Sequence, residues 1–328
     1  MSQLKEGVSV IICCYNSGWI IDRTLNALKQ QRFSHDISWE IILVDNCCTD
    51  DTIDIAKREM AESPIPFFIV KEDNAGLANA RRKGISEAHY DIVIYCDDDN
   101  MLCENYVDTM NGIMRSDDNI GASGGMGIAE YQTTPAKIVK DNPGAYAVGS
   151  QKDHDCWLFG AGVTLRTTLV REVYNTQHCY LMGRQGGELL SGDDSELVMS
   201  MVLRGYKIAP TDDVTFIHVL KANRLTADYY KKLLVGLERP FPVFEVYRMV
   251  IKGESFKLLL NKYYMLYRAY LGSYIHFTRP TAKETRKHYG EILSRYQYWG
   301  IFTLWKIYRE WEGIKKKYEA KYRPHDIK

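Results

Sequence analysis

The stretch Tyr90 to Met101, YDIVIYCDDDNM, constrains this chain more than any other. Ile92, Val93, Ile94 and Tyr95 run into Cys96 and then into Asp97, Asp98 and Asp99. A short apolar run bounded by polar residues reads as a buried strand. Ligands of open α/β sheets bind at the carboxyl ends of such strands. Three adjacent carboxylates repel one another and are costly to bury unpaired. A divalent cation is the simplest neutraliser, and hard oxygen ligands suit Mg2+ or Mn2+. The alternative is an acidic surface turn.

Similar apolar runs recur along the first two thirds of the chain, alternating with helical spacing. Strands are expected over Val8–Cys14, Ile41–Val44, Phe67–Val70, Trp157–Leu165 and Val214–Val219. Helices are expected from Trp19, Thr49, Gly76, Glu104, Thr168 and Asp194. This order implies an α/β fold with a doubly wound, mostly parallel sheet and helices on both faces. Glycine-rich Gly121–Ser150 reads as loops and short strands over the sheet's carboxyl edge, and Gln185-Gly186-Gly187 as a loop.

Beyond Thr226 the character changes to helical, aromatic and basic. Lys221–Lys328 holds 23 Lys and Arg against 10 Asp and Glu, leaving 19 against 32 in the remainder of a chain of formal net charge zero. That asymmetry suggests a metal-using catalytic domain, residues 1–225, joined to an appendage, 226–328, that meets something anionic. The eight cysteines form no CxxC pair, so they read as small buried hydrophobes and not as a zinc site. No secretory leader is evident, and a reducing, cytoplasmic setting is expected. With no run of 18 uncharged apolar residues, no spanning helix is expected. The aromatic, lysine-bearing segment Ser255–Phe277 and the cations Lys315, Lys316, Lys317, Lys321 and Arg323 fit either peripheral contact with an anionic membrane or packing, including homodimer formation.

An ordered series of motifs resembles family 2 glycosyltransferases of GT-A fold: VSVIICCYN (8–16), ILVDNCCTDDT (43–52), NAGLANARRKG (74–84), CDDDN (96–100), WLFGAGVTLR (157–166), then SGDDSEL and LRGY (191–206). Each is weak alone, and the series is specific. The resemblance, over about residues 7–235, implies an inverting transferase. It would use a nucleoside-diphosphate sugar, UDP-linked before GDP-linked, and a glycan or lipid-linked hydroxyl acceptor, in cell-surface polysaccharide synthesis. No nucleic-acid partner is expected.

By that resemblance Asp45 accepts a hydrogen bond from the base, with Asn16 beside the same pocket. Asn74, Gly76 and Arg81 serve the diphosphate side, Asp97 and Asp98 the ribose and metal-bound water, and Asp99, Asp97 and His218 the metal. Asp194 is the base, and Gly162, Asp193 and Glu196 lie on the acceptor or loop side. The alternatives are a turn cap for Asp45, a solvated helix residue for Arg81 and a structural histidine for His218. Asp193 stands where relatives carry glutamate, and Cys13-Cys14 where they carry Pro-Thr. A nucleotide-sugar pyrophosphorylase shares this sheet type, but its loop needs basic residues, and CCYNSGW has none before Arg23. A non-catalytic, membrane-associated scaffold of the same fold would not need to keep Asp45, Asp97, Asp99 and Asp194 together.

Overall fold

The computed structural model describes residues 3–176, 179–181, 189, 191–275 and 282–322. The loop expected at Gln185–Gly187, and Phe277 and Arg323 of the appendage, lie outside the described residues. Strands are β1 (Lys5–Cys14), β2 (Trp39–Asp45), β3 (Phe67–Lys71), β4 (Tyr90–Asp97), β5 (Asn100–Leu102), β6 (Ile120–Ser123), β7 (Met126–Tyr131), β8 (Thr164–Arg166), β9 (Lys207–Ile208) and β10 (Thr215–Leu220). The main sheet runs β3-β2-β1-β4-β8-β6-β9. β1 to β4 of that order are parallel, and β8 pairs antiparallel with both neighbours.

β1 is central and buried on both faces, as its unbroken apolar run requires. Val8, Val10, Ile12 and Cys14 face one core with Leu25 and Leu28 of helix Ile21–Lys29. Ile11, with Ile42 and Val44 of β2, faces the other with Ala80 and Ile85 of helix Leu77–Glu87. That second helix lies close because Gly84 has no side chain. A Cβ there would sit 2.4 Å from Ile11 Cγ2. The close approach carries Arg81, one turn earlier, toward the sheet's carboxyl end.

Two expectations change. Trp157–Leu165 is not a continuous strand, because only Thr164–Arg166 is extended and paired. Gly162 turns the chain at φ +70° before it, with its carbonyl held by Tyr106 Oη at 2.8 Å. The last strand, β10, leaves the main sheet. It forms a second sheet, β5-β10-β7, pairing antiparallel with β5 and parallel with β7.

The chain divides into two compact units, Met1–Val202 with Tyr206–Leu237, and Leu203–Gly205 with Glu238–Lys328. The division falls beyond the change of composition near residue 225. Tyr230 and Leu233 of helix Ala227–Glu238 join Val139, Tyr146, Leu220 and Leu225 in one apolar cluster, which draws that helix into the first unit. The second unit carries helices Phe241–Lys252, Lys257–Ile275, Ala282–Trp299 and Ile301–Tyr322. Its core includes fully buried Trp311, tilted on Tyr247 with ring centroids 4.9 Å apart.

Candidate active site

In register, Cys14 pairs with Asp45 and Cys13 with Asp97, so both aspartates end strands flanking β1. Two inter-strand spacings separate them, about 10 Å. Asp45 Oδ1 accepts from Cys48 N at 2.9 Å, fixing the turn after β2. Asn16, at φ 54°, accepts from Thr49 N at 2.8 Å through its side-chain oxygen. Asn46 ties this turn to the next. Its amide donates to the Asn74 carbonyl and its oxygen accepts from Gly76 N, both at 2.8 Å. Asn16, Asp45, Asn74 and Gly76 thus line one edge as a hydrogen-bonded rim. Burial pushes the Cys13 thiol up to about 12 and that of Cys48 up to about 11, which keeps both protonated at neutral pH.

The three aspartates point to different partners. Asp99, 5% exposed, meets Arg224 Nη1 at 3.2 Å and His218 Nε2 at 3.6 Å. His218 Nδ1 donates to the Tyr146 carbonyl at 2.7 Å, a tautomer assigned from that contact. Burial lowers the His218 imidazole, but the charge of Asp99 and the hydrogen bond to it outweigh burial and leave it raised. Asp98 accepts from Ser17 Oγ, and its carbonyl accepts from Thr24 Oγ1 at 2.7 Å. Desolvation, then the charge of Asp99, pushes its carboxyl up to about 7.

Asp97 faces Arg81. Its guanidinium, expected on the diphosphate side, is buried at 4% exposure and so is no solvated helix residue, with Nη1 on Asp193 at 2.8 Å and Nη2 3.7 Å from Asp97. It also lies over the Tyr95 ring, 5.2 Å from the centroid. Arg81 therefore links the acidic end of β4 to the start of helix Asp193–Leu203. Asp194 opens that helix beside Asp193. Desolvation, then Asp193, raises its carboxyl to about 6, against the lowering effect of Arg81. Glu196 turns away from this centre and accepts from the backbone N–H groups of Tyr180 and Leu181 at 2.8 Å each. Gly162 packs on Tyr106 beneath the site.

Gly160 completes the centre. A Cβ added there would lie 2.5 Å from Asp194 Oδ2 and 2.7 Å from Arg81 Nη2. Neither carboxylate nor guanidinium could stay in place. Gly160→Ala is expected to displace both groups and to lower any turnover they support on the order of 10²-fold, as an ångström-scale misplacement does. Steady-state kinetics of the variant, with its melting curve, check this. Gly160 and Arg224 were not singled out from the sequence. The doubled glycine of WLFGAG was the available signal for the first. Arg224 had none, because its contact with Asp99 joins residues 125 apart in the chain.

Among the described residues no three His, Cys, Asp or Glu side chains are gathered as a metal cluster. The pair Asp99–His218 nevertheless suits a divalent ion. The imidazole's far nitrogen is tied to a carbonyl, the arrangement that metal-bound histidines share.

Residues 9–166 match Glycosyl transferase family 2. TuaG of Bacillus subtilis (strain 168), whose name assigns it to teichuronic acid biosynthesis, is 34% identical over 100 residues, 30% of this chain and 38% of its own. The cholesterol galactosyltransferase of Borreliella burgdorferi is 31% identical over 115 residues, 35% of this chain and 31% of its own. The chain thus spans between three and four tenths of the length of these curated relatives. Two solved structures share the fold. S. aureus TarS 1-349 in complex with UDP-GlcNAc has a TM-score of 0.52 at 16% identity, covering 98% of this chain and 94% of that one. The mannosyltransferase PcManGT from Pyrobaculum calidifontis, in complex with GDP-Man and Mn2+, has a TM-score of 0.53 at 17% identity, covering 97% and 88%. The sheet order, the paired strand-end aspartates and the matched segment agree: residues 9–166 belong to Glycosyl transferase family 2, on a fold of GT-A type.

Proposed function

We propose that this chain is an inverting glycosyltransferase that moves a sugar from a nucleoside diphosphate, uridine before guanosine, to a hydroxyl of a glycan or lipid-linked acceptor in cell-surface polysaccharide synthesis. The observation that carries this reading is the Arg81 bridge. It holds Asp97, at a strand end suited to a nucleotide, close to Asp193 and Asp194, at a helix start suited to proton transfer. A carboxylate raised to about 6 is a base matched to neutral pH.

Asp45 accepts a hydrogen bond from the base, since a carboxylate only accepts and a uracil N–H donates. Asp97 orients the ribose. Asp194 takes the proton of the acceptor hydroxyl as its oxygen bonds to the anomeric carbon. The bond to the diphosphate oxygen breaks on the opposite face, and the electron pair leaves with the nucleoside diphosphate. Gly160 leaves room for Asp194 to swing toward the hydroxyl, and Arg81 keeps the neighbouring carboxylates from repelling it out of place. Asp99 and His218, with Asp97, would hold Mn2+ or Mg2+ when the diphosphate is present. Bound there, such an ion would supply Lewis-acid charge to offset that of the leaving group.

Release of nucleoside diphosphate from a panel of sugar nucleotides, with Mn2+ or excess chelator, tests this reading. Release dependent on both acceptor and metal is expected, and Asp99→Ala is expected to abolish it. Full turnover in chelator removes the metal role, and no release from any donor in the panel removes the transferase reading.

A further inference from the structure

Helix Lys257–Ile275 leaves one face bare. Leu260, Tyr264, Tyr267, Leu271 and Tyr274 follow at spacings of four and three, the period that aligns side chains on one stripe of a helix. All five are exposed, at 43%, 58%, 44%, 44% and 47%. At about 100° per residue, Lys257 and Arg268 project beside this stripe, and exposed Leu258 and Met265 lie beyond them. Leu259 and Ser273, about 100–140° round the helix from the stripe, are buried and seat the helix on its unit, with Lys262 tied to Glu245 at 2.6 Å. Arg268 reaches back over the Tyr264 ring, 5.8 Å from its centroid, and the Tyr270 and Tyr274 hydroxyls meet at 2.8 Å. The helix contains no Asp or Glu at all. Phe302, at 85%, and Trp305, at 52%, add exposed apolar surface in the same unit.

We propose that this face is a docking surface for an anionic lipid bilayer, on which the helix lies parallel to the membrane plane. Apolar side chains flanked by cations suit the boundary between headgroups and acyl chains. Tyrosines keep their hydroxyls at headgroup level, and lysine and arginine stems run along the apolar surface with their charges in the phosphate layer. Among the described residues no helix is long and apolar enough to cross a membrane, so the helix lies on the surface. A second copy of this chain is the other candidate occupant. A helix seam between copies is matched by opposite charges beside the apolar stripe. Here both flanking charges are positive and the helix offers no acid to meet them, so self-pairing sets like charges together. The bilayer is the occupant whose charge is complementary. The inference goes beyond the transfer reaction proposed above, and its test needs no sugar nucleotide.

Flotation of the full chain with phosphatidylcholine vesicles, with and without about a third phosphatidylglycerol, decides it. The full chain is expected to float with the anionic vesicles, and less as salt rises. Lys257→Glu with Arg268→Glu is expected to weaken binding by well over tenfold, since a cation near an anionic surface contributes roughly fivefold. Tyr267→Ser with Leu271→Ser is expected to reduce flotation at every salt concentration. Each variant is compared with the parent by circular dichroism melting and nucleoside-diphosphate binding, so that a folding defect is visible. Absence of flotation by the folded parent at low salt overturns the proposal. So does equal binding to both vesicle types. Sedimentation showing a dimer that Leu271→Ser splits, without flotation, makes the face a contact between copies and overturns it too.

Discussion

Asp194→Asn is expected to lose transfer by at least ~10²-fold while the sugar nucleotide still binds, because the amide keeps the shape but cannot take a proton. The carboxyl lies at the head of helix Asp193–Leu203 and is raised to about 6, first by desolvation and then by Asp193. The base works only when ionised. The parent's kcat/KM is therefore expected to fall as pH drops through about 6, and that acid limb is expected to vanish from the residual activity of Asp194→Asn. Binding measured by calorimetry alongside a pH–rate profile separates the two effects. Near-normal transfer by the variant moves the role to another group, with Asp193 the nearest carboxylate. Glu196 is the weaker alternative, since it is occupied by the Tyr180 and Leu181 backbone.

Arg81→Leu is expected to be the most damaging substitution for stability. Arg81 is 4% exposed and faces Asp193 at 2.8 Å and Asp97 at 3.7 Å. Leucine leaves those carboxylates without their cation in a protein environment. Breaking a buried pair this way costs about 3–5 kcal/mol. For a domain of this size that lowers Tm by roughly 10 °C. Arg81→Lys keeps the charge but loses the two-pronged reach to both carboxylates, so an intermediate loss is expected. Thermal melts of the two variants check the order. Equal melting of Arg81→Leu and the parent removes the bridge as a structural element.

The acidic motifs and the alternation of strands and helices were legible because they are local. Apolar runs of five to eight residues must bury, and a run that ends in Asp, as at Val44-Asp45 or Cys96-Asp97, puts that Asp at a strand's carboxyl end. Gly84 was legible as a pattern residue, and its reason, the close approach to Ile11, came only with packing. The Trp157–Leu165 run misled because apolar content alone does not make a strand. Gly160 and Gly162 turn the chain there, and the buried apolar residues around them fill both cores.

The sequence by itself determined which residue types end the strands of the first half, and hence that carboxylates gather at one edge. It also determined that a basic, tyrosine-rich helical part follows. Only the tertiary structure decided what each carboxylate meets. β10 joins β5 and β7 in a separate sheet, and its pairing with β5, across more than a hundred residues of chain, brings His218 and Arg224 to Asp99. The same is true of Arg81 with Asp193. Such contacts are set by how whole layers pack, and no periodicity within a window of one helix or strand encodes them.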